Sequence, residues 1–396
     1  MLRIALQMLM GDRAKYIGLL LGIAFTAFLV TFALAYFAGF MTWGFALISE
    51  NKSTDVWVMD PAVSSTEMTI NMPASALVRV RGIKGVSNAV PLSLNDVTAR
   101  FPNGRFQTLQ MIGVDDATLA GAPLLENGNS NKVLHQADSA IIVPGGTSDK
   151  LQTPLYQKDR WTFAGVNLDV ATRTLMSGDE LLVNGKRVFI AGVSQTIPRF
   201  PARPLLYTTY ANVKRLLPAQ RNLTFIMVSA QTGVSATVLA RSIEQQTHLR
   251  ARTSAEFKAD TVNWYLINSE DVGDMAAMLI LAMTVGFGVT GIMLYMFTYE
   301  NLKQYAVLKA MGASNSMLLK MVFVQAGVSA FLGAGLGVGL CSIIGDLVSV
   351  IDFPFRMMWF TPLFGIFGVL IVSLTAAMIS TRPVLKLEPG VVFTGR

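Results

Sequence analysis

Four long stretches without a charged side chain constrain this sequence more than anything else in it. The first runs from Tyr16 to Ser49. Three more crowd the C-terminal third: Met275–Tyr299, Met321–Gly345 and Met357–Thr381. Each exceeds the roughly 20 apolar residues that a helix needs to cross a bilayer core of about 30 Å. Between the first and second lies a polar segment from Glu50 to Asp274. The order of spans is therefore 1 + 3 around one large excursion.

Charge orients the spans. The N-terminus to Lys15, the 300–320 loop and the tail after Thr381 carry nine Lys/Arg against Asp12, Glu300 and Glu388. The Glu50–Asp274 segment balances 22 basic against 20 acidic residues. By the positive-inside rule, both termini and the 300–320 loop are cytoplasmic and the large segment is extracytoplasmic. The excess charge sits beside the spans, so no nucleic-acid partner is needed to explain it. The first uncharged run is far longer than a signal-peptide core of about 7–15 residues and reads as a retained anchor.

Other classes fall away. Cys341 is the single cysteine and His135 and His248 are the two histidines. No intrachain disulfide is possible, and no metal site is expected. No catalytic residue is assigned: there is no phosphate-binding G-x-x-x-x-G-K-[ST] loop, no G-x-S-x-G and no H-E-x-x-H. Gly145–Lys150 resembles a phosphate loop only superficially, with the wrong spacing. No ionisable group lies inside the uncharged runs, which argues against an ion path through them.

Alternation and turn chemistry place strands at Thr54–Asp60, Ser87–Arg100, Phe106–Val114, Ala140–Val143, Leu205–Tyr207 and Phe225–Ser229. Gly178–Val193 reads as a hairpin turning at Asn184-Gly185. Helical patterns start at Pro73 and cover Thr209–Leu217 and Ser235–Thr247. Residues 121–138 read as a loop. The expected organisation is an amphipathic interfacial helix (1–15), a first transmembrane helix and stalk (16–49), an α+β domain (50–256) and a stalk running into the second span (257–299). A cytoplasmic coupling segment (300–316), spans three (317–346) and four (357–381) and a tail (382–396) follow. The fold class is thus membrane α-helical, four transmembrane helices in 1 + 3 order, with a large α+β extracytoplasmic domain on helical stalks.

The inner loop carries the most specific signal. In Tyr299–Ser316, Leu302, Tyr305, Leu308 and Met311 recur every third residue, Glu300 is placed to pair with Lys303, Gly312 suits a C-cap and Ser314 an N-cap. Gly18/Gly22 in the first span and Gly333/Gly337 and Gly335/Gly339 in the third have the spacing of close helix contacts. Gly18 and Gly22 are candidates for dimer packing, and the third-span glycines are candidates either for that or for packing on the fourth span of the same chain. Arg199, Phe200 and Arg203, around Pro198 and Pro201, are either a partner or substrate contact or an exposed proline-rich loop.

Leu308-Lys309-Ala310-Met311-Gly312 resembles the coupling core of MacB/FtsX-type ABC permeases, most closely the DevC-like branch. The ending Ser380–Phe393 and the span order are similar too. The resemblance implies a permease that uses ATP and Mg bound by a separate ABC ATPase dimer, with none bound in this chain. It implies a second permease copy in the bacterial inner membrane, and a membrane fusion protein with a TolC-like outer-membrane channel. It also implies that Asn301, Leu302, Lys303, Gln304, Tyr305, Leu308, Lys309, Met311, Gly312 and Ala313 dock on the ATPase, Leu308 and Met311 filling an apolar groove. Efflux or secretion is the expected work. Lipoprotein or lipid extraction, and FtsX-like regulation without transport, are the alternatives.

Overall fold

The computed structural model describes residues 7–9, 11, 13–125, 130–155, 169–217, 222–351 and 353–385. Leu2, Ala5 and Leu6 of the expected interfacial helix lie outside the described residues, as do Asp352 and the tail beyond Leu385 with Pro389. The chain divides into two units, Met1–Phe40 with Ser269–Arg396, and Met41–Asn268.

Among the described residues, four helices are long and apolar enough to cross a membrane: Arg13–Gly44, Glu270–Glu300, Asn315–Ser349 and Phe360–Ser380. Small residues of the other three receive the first span. A Cβ on Gly333 would stand 2.6 Å from Ile23 Cγ2, and one on Gly337 2.6 Å from Ala27 Cβ. A Cβ on Gly365 would overlap Thr31, and one on Gly286 would overlap Thr26. Gly333 and Gly337 therefore pack against the first span of the same chain and not against the fourth. Gly335 and Gly339 face open space. Thr26 Oγ1 donates to Gly22 O at 3.0 Å and lies 3.3 Å from Thr290 Oγ1, which satisfies both buried hydroxyls. The segment between spans three and four folds back on the first, with Phe353 stacked on Tyr36 at 4.8 Å and Arg356 N–H donating to Ala35 O.

Among the described residues, the second unit has eleven strands. The first five are β1 (Val56–Met59), the long β2 (Val86–Arg100), β3 (Phe106–Val114), β4 (Ser139–Val143) and β5 (Gln152–Pro154). Then come β6 (Thr172–Thr174), β7 (Glu180–Val183), β8 (Lys186–Val193), β9 (Leu205–Thr209), β10 (Phe225–Ala230) and β11 (Arg250–Thr253). Nine form one sheet in the order β11-β1-β10-β2-β3-β9-β4-β8-β7, and β5 and β6 pair separately.

The long β2 serves two lobes. Its first half, Val86–Leu92, pairs with β10; its second half, Ser93–Arg100, pairs with β3. At Ala99 and Arg100 it also pairs with β7, closing β2-β3-β9-β4-β8-β7 into a six-stranded barrel. Leu109, Met111, Ile142, Leu181, Val188 and Ile190 are among the side chains of one core within this lobe. The helices Ser75–Arg81 and Ala236–Thr247 cover the open lobe through Ala76, Val80, Leu239 and Ile243, against Val58, Ile226 and Val228. The unit is α+β as the sequence predicts, and Asn184 (φ 50°) and Gly185 (φ 75°) make the expected hairpin turn. Strands β5, β6 and β11 are additions to that expectation.

Two helices open and close this unit in sequence, Ala46–Glu50 and Ser254–Asn268. The stalks expected as unbroken extensions of the spans are interrupted. Phe45 separates Gly44 from Ala46, and Ser269, with extended backbone, separates Asn268 from Glu270. The second break has a local cause: Glu270 and Asp271 occupy the first turn of the new helix, where acidic groups favour an N-terminus.

Candidate coupling site

The segment between the second and third spans forms a short connector helix, Leu302–Ala310. Its boundaries follow from its residues. Asn301 Nδ2 bonds Phe297 O at 2.7 Å as the preceding helix ends. At the far end Gly312 takes φ 96°, a conformation open to glycine at little cost. Ala313 N–H then donates to Leu308 O at 3.0 Å and Gly312 N–H to Lys309 O at 3.1 Å, the paired bonds of a Schellman motif. Ser314 caps the third span, accepting from Met317 N–H at 3.3 Å.

The helix has an inner and an outer face. Tyr305 and Ala306 are buried, and Leu302 and Leu308 pack half-buried with them against Leu294, Phe297, Leu318, Met321 and Val384. Tyr305 Oη donates to Gln325 Oε1 at 2.7 Å. Burial pushes the Tyr305 phenol up to about 12, and the bond to Gln325 offsets part of that rise. Asn301, Lys309 and Ala313 are half-buried, while Lys303, Gln304 and Gly312 are exposed. Val307 is 44% exposed and Met311 71%.

This distribution corrects the sequence-based face. Leu308 turns toward the chain's own helices and Tyr305 is wholly internal, so neither presents a free apolar surface. The outward stripe is Lys303, Val307, Ala310 and Met311, at the i, i+4, i+7 and i+8 spacing of one helix side. Val307 and Ala310 escape a reading of every third residue, although their spacing from Lys303 carries the signal. Glu300 is 2.8 Å from Lys15, not paired with Lys303 as its spacing predicts. With 50% and 39% side-chain exposure, that pair contributes at most about 1 kcal/mol.

The candidate packing glycines also separate. Gly22 is buried, and a Cβ there would stand 3.1 Å from Val289 Cγ1 of the same chain. It serves the approach of the second span and leaves no surface for a second copy. Gly18 has nothing within 4 Å of its Cβ position.

In the second unit, the proline-rich segment is not an exposed loop. Arg199 is 5% exposed and ion-paired with Glu50. Glu50 also accepts from Ile197 N–H at 2.8 Å, and Arg199 reaches Tyr207 Oη at 3.2 Å. Burial works against the Arg199 charge, but Tyr207 and Glu50 hold the guanidinium above its ordinary pKa. Burial also pushes Tyr207 up to about 12. Tyr265 Oη donates to Phe200 O at 3.2 Å, and Arg203 pairs with Glu67 at 2.7 Å. One segment thus holds both the first and the last helix of the unit, Ala46–Glu50 through Arg199 and Ser254–Asn268 through Phe200. Beside it lies a cavity of about 650 Å³ bounded by Asn51, Gly121, Pro123, Gln195, Ile197 and Tyr207. No cluster of metal-ligating side chains occurs among the described residues.

Residues 276–389 match the family described as FtsX-like permease C-terminal. Comparison with curated proteins gives no match. Among solved structures, the chain is similar to the periplasmic region of MacB from Actinobacillus actinomycetemcomitans, at 13% identity and a TM-score of 0.36, covering 55% of this chain and 94% of that one. It is also similar to the extracellular domain of the noncanonic ABC-type transporter YknZ from Gram-positive bacteria, at 13% identity and 0.33, covering 50% and 98%. The connector helix, Leu302–Ala310, lies inside the segment that matches the FtsX-like permease C-terminal family.

Proposed function

We propose that this chain is the membrane subunit of an ABC-type transporter that transmits force instead of lining a pore. A separate ATPase dimer binds ATP and Mg and pushes on the connector helix, and the second unit does its work outside the cytoplasm. One observation carries this reading. Within the segment that matches the FtsX-like family, a short helix is fixed at both ends, anchored on its inner face, and free along the stripe Lys303–Val307–Ala310–Met311. Such a stripe has a compact apolar centre and a cationic edge, which suits a groove with acidic margins.

The finer reading is efflux by two permease copies in a bacterial inner membrane, with a membrane fusion protein and an outer-membrane channel. Extraction of lipoproteins or lipids, and regulation without transport, use the same connector and differ in what meets the second unit. The test is co-purification of a co-expressed ATPase with the full chain. Val307→Asp and Met311→Asp, both at exposed positions, are expected to lose the ATPase while the permease stays inserted and monodisperse. Retention of the ATPase by both variants would overturn the docking assignment.

A further inference from the structure

A primary amide inside a span is costly unless its hydrogen bonds are met. Gln325 belongs to the third span and is 2% exposed. Its acceptor oxygen is met from outside that span, by Tyr305 of the connector helix, itself fully buried. A Phe and a Leu at these positions would fill similar space with no polar group to satisfy. The polar pair therefore does something that packing does not. Apolar contacts such as those of Leu302 and Leu308 are non-directional and tolerate sliding. A 2.7 Å bond between two buried groups fixes distance and angle, so the connector cannot roll or slip against the third span without breaking it. Tyr305 also lies opposite the outward stripe: at 3.6 residues per turn, it is about 200° round the helix from Val307. A push received on one side meets this bond on the other.

We propose that the Tyr305–Gln325 hydrogen bond is the joint that passes displacement of the connector helix to the third span, which makes both of them positioning residues for coupling. The inference rests on the reading that an ATPase displaces the connector, and it assigns the route the displacement takes.

The test uses the full chain with its co-expressed ATPase. Cys341, the single native thiol, is replaced by Ala, and spin labels are placed at Leu347→Cys and Trp359→Cys, both exposed positions on the third and at the start of the fourth span. ATPase retention, hydrolysis rate and the ATP-driven change in label separation are read together. Tyr305→Phe is expected to retain the ATPase and its hydrolysis but lose the change in separation. The double variant Tyr305→Phe/Gln325→Leu, which removes both polar groups together, is expected to recover native thermal stability yet not the movement, which a merely structural role would restore along with stability. Movement persisting in Tyr305→Phe, or returning in the double variant, would overturn the proposal. Failure of the unsubstituted protein to hold the ATPase would instead overturn the underlying reading and the joint with it.

Discussion

Glu50 and Arg199, 149 residues apart in sequence, meet as a buried ion pair at the end of the helix Ala46–Glu50. The guanidinium is the more deeply buried partner, at 6% side-chain exposure against 22% for the carboxylate. Glu50 also takes the amide of Ile197, so one carboxylate ties the helix end to the proline-rich segment twice.

Removing one member of such a pair leaves the other charge buried without compensation, at a cost of about 3–5 kcal/mol. Glu50→Ala is therefore expected to destabilise the second unit by roughly that amount, discounted toward 3 kcal/mol because Glu50 is partly solvated. Trp57, packed on Phe225 and Phe257 in that unit's core, is a local reporter. Denaturant unfolding of the full chain followed by tryptophan emission checks this. A midpoint unchanged from wild type would show that the pair contributes nothing.

Glu67 gives a pH prediction. Burial raises its pKa above 4.5, and Arg203 only partly opposes the shift. The folded state therefore holds the proton more tightly than the unfolded state. Its stabilising contribution is complete below 4.5 and is lost as pH rises through the raised folded value. Glu67→Gln, which mimics the protonated form, is expected to match wild type in acid and become the more stable of the two as pH rises. Stability curves from pH 4 to 8 that stay parallel would refute the shift.

In the first unit, Gly337→Ala and Gly339→Ala should differ sharply. A methyl at Gly337 meets Ala27 and the backbone of Phe28, while one at Gly339 meets nothing. Overpacking of this kind costs about 1–3 kcal/mol, whereas Ala for Gly in an open helical position gains about 0.5–1 kcal/mol. Thermal unfolding in detergent should fall for the first and hold or rise for the second. Equal behaviour would mean that the third span does not approach the first at Gly337.

Gly312→Val should fray the end of the connector. A β-branched residue at φ 96° is strained, at a cost of about 1–2 kcal/mol. Amide exchange at Gly312's successor, Ala313, and at the last connector residues should quicken, with the spans unchanged. Native protection at Ala313 in the variant would remove the Schellman motif from the account.

The spans were legible because a run of apolar residues has one meaning in a long helix. Phe106–Val114 was legible for a similar reason: alternation bounded by a Pro-Asn-Gly turn states its own limits. What escaped the sequence depends on partners far away in the chain. Arg199 reads as a surface arginine between prolines until Glu50 is beside it. The strand Arg250–Thr253 is half arginine, and its place is set by pairing with β1 and by Asp260 and Glu244, not by its own propensity. In the connector, spacing showed that one face is apolar but not which partner takes it. Tyr305 and Leu308 are claimed by the chain's own spans, leaving Val307 and Met311 outside.

Closing the barrel through β2 and β7 has a consequence for colloidal behaviour. A sheet end with unpaired amides invites a neighbouring chain to add a strand, and closure removes that invitation at one end. The remaining terminus of the nine-stranded sheet is β11, only four residues long and carrying Arg250 and Arg252. A short, charged rim of this kind blunts strand addition, and it keeps a protein crowded into two dimensions from polymerising edge to edge.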